Sequence, residues 1–427
     1  MLIVGVVALV LLVLGVSIGI ALSAASAAYI LVDPLLEPEV IFRAFFNFIG
    51  RYSLMAIPLF IYAGFLMERT GLIAQLFRFA DALAGWLPGG FGVSTILACV
   101  LFASISGSSV ASAAAMSVIA IPEMTKRGYP KWLSAGIVAG NGGIAILIPP
   151  SIILILYGIV TETSIVRLFF AGIIPGLLLA LTSIITVMII SARLKLPRGT
   201  FEWRRVVSEG KGALPGLGMP VIILGGLYGG VFTPPEAAAA ACGYALVYGL
   251  ISGRGAFVRE LVPITCRALN LTAVILFLVG SVGVFQFLAA NLYWPQTLTK
   301  IVTGWGLSPL GFIFAFMAVL LVLGCFVDGV AMVLLTVPVV FPVADALKID
   351  PVHLGVLLTL AVEMSVITPP VGLNLFAVSG TSKIPITTVM KGSVPFFFAD
   401  LTTLLLVVFF PALAIWLPSV LVISVFK

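Results

Sequence analysis

Residues 140–151 read GNGGIAILIPPS, and residues 363–374 read EMSVITPPVGLN. In the first, three glycines loosen a helix just before two prolines remove amide donors from it. Pro149 and Pro150 cannot bond the carbonyls four residues earlier, on Ala145 and Ile146, and Pro369 and Pro370 likewise free those of Ser365 and Val366. Both motifs lie in apolar runs long enough to cross about 30 Å of hydrocarbon. Oxygens released at that depth need a cation, a water or a side-chain donor. Helices broken in this way, twice in one chain, point to an all-α polytopic membrane protein.

Composition agrees. Of 427 residues 62% are hydrophobic and 9% charged, with mean hydropathy +1.28, whereas a soluble domain carries about a quarter charged residues. Apolar segments fall near 2–32, 53–67, 88–122, 132–160, 165–192, 215–232, 235–252, 268–290, 308–343, 352–379 and 393–421. The first reads as one tilted helix or two short ones broken at Gly15–Ser17, and not as a cleaved signal. Asp33–Arg51 and Gly253–Arg267 mix polar and apolar residues and read as interfacial arms. Cys99, Cys242, Cys266 and Cys325 stand singly and His353 is the one histidine, so neither a disulfide framework nor a transition-metal site is expected. The net charge of +6 comes from scattered loop residues with no basic-aromatic stripe, which excludes a nucleic-acid partner and leaves the lipid bilayer.

Segments 88–122 and 308–343 are too long for one crossing and carry small or polar residues at their middles, Ser104–Ser109 and Gly324–Gly329. Two half-length helices entering and leaving on one side fit both. With these two re-entrant hairpins, sixteen of the 22 lysines and arginines fall on one side, including Lys126, Lys131, Arg267 and Lys383. That side is then cytoplasmic and the C-terminus outside. A repeat supports the scheme: Pro150 and Pro370, Pro175 and Pro395, and Val110 and Val330 are each 220 residues apart. Five crossings separate the copies, so the second is inverted. The expected fold is inverted repeats with two re-entrant helical hairpins and two discontinuous helices meeting at the midplane. Four regions follow: 1–52, a scaffold helix or helices and arm; 53–192, the first repeat; 193–267, a cytoplasmic loop, scaffold helices and second arm; 268–427, the second repeat and last helix.

The chemistry concentrates at tips and breaks. Ser104–Ser109 either offers hard oxygen ligands to a small cation or packs as a small-residue face. Asp328, at the second tip, binds a cation or caps the helix that starts there; an unpaired carboxylate at the bilayer centre costs roughly 2.5–3.5 kcal/mol. The breaks are ion sites, or proline kinks satisfied by a neighbouring Ser or Thr. Glu363 and Asp400 are weaker candidates, as a buried pair or near helix ends. Helix N-termini aimed at the middle favour an anion. Thr233-Pro234-Pro235-Glu236 reads as a helix start outside the site.

SISGSSVASAAA (104–115), IPEMTKRGY (121–129), ILIPPSIILILYG (146–158), TPPEAAAA (233–240) and ITPPVGLNLF (367–376) resemble, in order, the large membrane subunit of tripartite ATP-independent periplasmic (TRAP) transporters. The resemblance implies an elevator-type member of the ion-transporter superfamily. Its expected activity is Na⁺-coupled uptake of a small organic anion, such as a C4-dicarboxylate or sialic acid, across the bacterial inner membrane. Expected partners are a separate small four-helix membrane subunit and a soluble periplasmic substrate-binding protein. Two or more Na⁺ would bind among Ser106, Ser108, Ser109, Asn141, Gly142, Ala145, Ile146, Asp328, Gly329, Ser365, Val366, Thr368 and Asn374. Substrate would meet Ser108, Ser109, Asn141, Pro150, Asp328 and Pro370. GNGG at 140–143 is richer in glycine than the family pattern. Competing readings are a stand-alone Na⁺/carboxylate symporter or ion antiporter, a channel, and an intramembrane enzyme, the last lacking any nucleophile–base constellation.

Overall fold

The structure, a computed structural model, describes the backbone of residues 2–425 and their side chains apart from 2–3, 9, 12–13, 104–106, 254–256 and 422–425. Every regular element described is helical. The first apolar segment is two helices, α1 (Leu2–Val13) and α2 (Ile18–Val32), parted where Gly15 takes φ +80°. The amphipathic α3 (Glu39–Ile49) meets a short 3₁₀ turn and α4 (Ala56–Arg69) at a 60° bend. Then come α5 (Leu72–Ala84), α6 (Gly90–Ser106), α7 (Ser109–Lys126), α8 (Lys131–Asn141), α9 (Ile144–Leu147), α10 (Ile152–Thr161) and α11 (Ile165–Arg193). The linking part holds α12 (Trp203–Tyr228) and α13 (Pro234–Asn291), and α14 (Trp294–Gly304), α15 (Pro309–Gly324), α16 (Gly329–Ala346), α17 (Pro351–Val366), α18 (Leu373–Ser382), α19 (Ile386–Phe409) and α20 (Ala412–Val425) complete the chain.

Three departures from the sequence reading have simple causes. The stretch 253–267 is no separate arm: helical bonding runs unbroken through all 58 residues of α13, about 87 Å of helix at 1.5 Å per residue. Polar side chains do not stop a helix unless they compete for its backbone. The segment 393–421 breaks at Phe410-Pro411, where proline withholds its donor. Finally, α5 and α14 escape a scan for apolar runs because only one face of each is apolar. Thr233-Pro234-Pro235-Glu236 does start a helix, with Glu236 Oε2 accepting from the Thr233 amide at 2.8 Å.

The α6–α7 pair is a hairpin in three dimensions. The Gly92 amide, near the start of α6, donates to Tyr129 Oη, just past α7, at 3.3 Å. Arg127 stacks on Phe91 at 3.9 Å and also reaches Asp81, which Arg205 of α12 grips at 2.6 Å. Asp81 is 4% exposed, so this pairing is what makes its burial tolerable.

The repeat is visible in the elements: α7 and α16 are both 18 residues long and start 220 apart, as do α8 and α17 at 131 and 351. The copies pack reciprocally, α10 on α16 and α18 on α7. Two side-chain meetings locate the relation between them. Thr182 shares a hydrogen bond of 3.0 Å with Thr403, one residue past its counterpart Thr402. Gly143 faces its own counterpart 220 residues on: a Cβ on Gly143 would fall on the Glu363 carboxylate. Residues that meet their own counterparts mark a two-fold axis, as in an isologous interface. The α8–α10 run lies deep, with 94% of its most apolar window buried against 33% for α11 and 28% for α12.

By length and composition, six of the described helical stretches are able to cross a membrane, or seven if the bent α3–α4 pair counts as one.

Candidate functional site

The loop between α6 and α7 is Gly107-Ser108. Gly107 has φ +60°, and a Cβ there would press on the Pro150 carbonyl at 2.8 Å, so the first tip rests on the first break. Ser108 caps α7, its Oγ accepting from the Ala111 amide at 3.5 Å. At the second tip Asp328 caps α16 through Oδ1, which accepts from Val330 at 2.9 Å and Ala331 at 3.1 Å. Among the described residues it forms no ion pair. Gly329 leaves room for Val362 and lies close to Ile153, which wedges the second tip against both broken helices.

Both tips open on one cavity of about 570 Å³. Of the predicted residues, Ser108, Ser109, Ile146, Asp328, Gly329 and Val366 line it. Its far wall comes from α4 and α13. Asn141, Gly142, Ala145, Pro150, Ser365, Thr368, Pro370 and Asn374 stand outside its lining, and the Ser106 side chain lies outside the described residues.

The breaks are less open than sequence logic implies. The Ile146 carbonyl is not free: the Ser151 hydroxyl donates to it, from the residue that also caps α10. The Ser365 carbonyl accepts from the Thr368 amide at 3.1 Å, and Thr368 Oγ1 donates to Met364 O at 2.6 Å. At the first break a hydroxyl thus takes up a bond that a proline withholds, whereas at the second a backbone amide meets the Ser365 carbonyl. Pro149 and Pro370 still stand where helical donors to Ala145 and Val366 would be. Both peptide bonds, Pro149–Pro150 and Pro369–Pro370, are cis.

Two buried amides lie beside the breaks, and that of Asn374 reaches across the repeats. Asn141 Nδ2 donates to Ile137 O at 2.8 Å, and Asn374 Nδ2 to Ala139 O at 3.3 Å, so both hold on to α8. Each keeps a fully buried Oδ1 without a hydrogen-bond partner. Such oxygens, with hydroxyls, carbonyls and the Asp328 carboxylate, form a hard donor set suited to an alkali cation. Among the described residues no three His, Cys, Asp or Glu side chains gather as a metal cluster. His353 is bound to the Val407 carbonyl at 2.9 Å.

Sequence reasoning missed Arg267. It lines the cavity from α13, with its guanidinium 4.7 Å from the Phe65 ring and 3.8 Å from Glu68 of α4. No local signal marks it, because its neighbours look like a surface arm. Glu363 and Asp400 are both 0% exposed, and none of their oxygens has a hydrogen-bond partner of regular geometry. The added glycine at 143 has its explanation here, since the Glu363 carboxylate occupies the space.

Residues 5–413 match the sequence model of the "Tripartite ATP-independent periplasmic transporter, DctM component". The chain is 39% identical to the C4-dicarboxylate TRAP transporter large permease protein DctM of Pseudomonas aeruginosa, covering 86% of this chain and 87% of that one. It is 35% identical to the sialic acid TRAP transporter large permease protein SiaM of Vibrio cholerae, with 87% of each covered. Against the isethionate TRAP transporter permease protein DctMQ of Oleidesulfovibrio alaskensis identity is 34%, over 94% of this chain and 64% of that longer protein. Among solved structures, the YdaH transporter of Alcanivorax borkumensis matches with TM-score 0.65 at 13% identity, covering 90% of each chain, a likeness of fold.

Proposed function

This chain belongs to the DctM-component family of tripartite ATP-independent periplasmic transporters, and on that premise we propose that it carries out Na⁺-coupled uptake of a small organic anion. It is a multi-pass membrane transporter subunit and not an enzyme. In the proposed scheme a periplasmic binding protein delivers the anion, and a separate small membrane subunit stands beside this chain in the bacterial inner membrane. The hairpins re-enter from opposite sides, the C-terminus faces the periplasm, and the repeat core slides as an elevator against α4, α12 and α13.

The observation that carries the reading is the cavity where both tips meet. About 570 Å³ holds a small organic acid. Serine hydroxyls and the amide ends of α7 and α16 face it, Arg267 supplies a positive group on the opposite wall, and Asp328 supplies the charge for a cation beside the anion. Ser108, Ser109, Asp328 and Gly329 would meet cargo directly, while Asn141 and Asn374 would act on a cation behind it.

Reconstitution tests the proposal. Proteoliposomes holding the chain and its small subunit are expected to take up labelled succinate or N-acetylneuraminate only with an inward Na⁺ gradient and the cognate binding protein. Uptake with substrate and Na⁺ alone would establish the stand-alone symporter instead, and uptake indifferent to Na⁺ would end the coupling scheme. Thermal-shift screening of the binding protein against organic acids identifies the cargo.

A further inference from the structure

The two-fold relation creates two equivalent junctions, one where α7, α8 and α18 meet and one where α16, α17 and α10 meet. Their backbones agree in detail. Gly128 and Lys348 follow α7 and α16 with φ +85° and +56°, and Glu162 and Lys383 follow α10 and α18 with φ +56° and +60°. Their charges do not agree. At the first junction Lys126, Lys131 and Lys383 line a cavity of about 620 Å³ that has no acidic side chain in its wall. The same positions of the second junction hold Ala346, Pro351 and Glu162, and its lysine, Lys348, lies near Asp345 and Asp350. Helix packing therefore does not require the three lysines, because the twin junction packs without them.

We propose that this pocket is a binding site for the phosphate headgroup of an anionic phospholipid in the leaflet facing the lysine- and arginine-rich side. Lys131 and Lys383 form no ion pair among the described residues, while Lys126 is shared with Glu123 at 2.7 Å. The hydroxyls nearby are already spent on their own helices: Thr125 donates to Ile121 O at 2.8 Å and Ser382 to Val378 O at 2.6 Å. Recognition thus falls to the ammonium groups, which act as point charges on phosphate. What favours a lipid over free phosphate is the rest of the wall. Val118, Pro122 and Thr125 run up one face of α7 at helical spacing, and Val118 is 62% exposed to the surroundings of the bundle. A cationic mouth continued by an apolar strip fits a headgroup with its chains attached, as basic pockets between membrane helices do.

The test compares lipids on the purified chain in detergent. Phosphatidylglycerol is expected to bind, by native mass spectrometry and by a raised unfolding temperature, in preference to phosphatidylcholine of the same chains. Lys131→Gln with Lys383→Gln should weaken that binding more than tenfold, at about fivefold per lysine. The paired Lys→Arg changes should keep it, and Lys348→Gln at the twin junction should leave it unchanged. Equal binding of the two lipids, or full binding in the double glutamine variant, overturns the proposal. So does loss of binding in the arginine variant, or millimolar inorganic phosphate reproducing the stabilisation and displacing the lipid.

Discussion

At the first break Pro149 and Pro150 are buried, and the Ile146 carbonyl takes the Ser151 hydroxyl. At the second, Pro369 and Pro370 are exposed, and Thr368 turns back to Met364. The tips differ in the same sense, with uncharged Ser108 capping α7 where exposed Asp328 caps α16. One device, repeated at a fixed spacing, has thus become a sealed neutral half and an open charged half. At the second tip exposure lets the Asp328 carboxylate keep part of its hydration, which the fully buried Glu363 of the same half does not. The two-fold axis sharpens the contrast, since only one member of a counterpart pair fits there: Glu363 has a side chain where Gly143 has none.

The most damaging way to break the asymmetry is at the axis. Gly143→Ala is expected to cost about 3 kcal/mol or more by overpacking against Glu363, seen as a lower unfolding temperature and lost monodisperse protein. Glu363→Gly added to it should restore at least half of that loss, and no recovery would show the collision to be elsewhere. Next, Ser151→Ala leaves a buried carbonyl without its donor and should cost about 2 kcal/mol, whereas Thr368→Val at the open break should cost under about 1 kcal/mol because water reaches it. Equal losses in thermal unfolding would erase the sealed–open distinction.

Charge comes third. Asp328→Asn keeps an acceptor for the α16 amides, so it separates capping from ion binding. Uptake at low Na⁺ should fall about tenfold, equivalent to about 1.4 kcal/mol, with little change in unfolding temperature. Full activity in this variant would leave Asp328 a cap alone. Arg267→Gln should raise the substrate concentration for half-maximal uptake several-fold and leave the Na⁺ requirement alone, measured in the reconstituted system. Smallest is Ser108→Ala, about 0.5–1 kcal/mol of stability and a modest change in Na⁺ dependence. A loss as large as that of Asp328→Asn would make the two tips functional equals.

Much of this was legible in the residues. The proline pairs, the serine tip and Asp328 announce themselves because each violates what an apolar helix tolerates. The family follows from motifs kept in order. Other features carry no such mark. Arg267 sits among residues that read as a surface arm, and its place in the cavity wall depends on α13 running unbroken beside α4. Ser151 is an ordinary hydroxyl residue until its bond to the carbonyl left by Pro150 is seen.

By itself the sequence determined the membrane class, the family and a device used twice about 220 residues apart, because hydropathy and periodicity are properties of neighbours along the chain. Only the tertiary structure decided that counterparts meet, at Gly143 and Glu363. It also decided which break is sealed and which residues share the central cavity. A spacing reports that two copies exist; the axis between them, and the desolvation each copy then experiences, depend on groups brought from far along the chain.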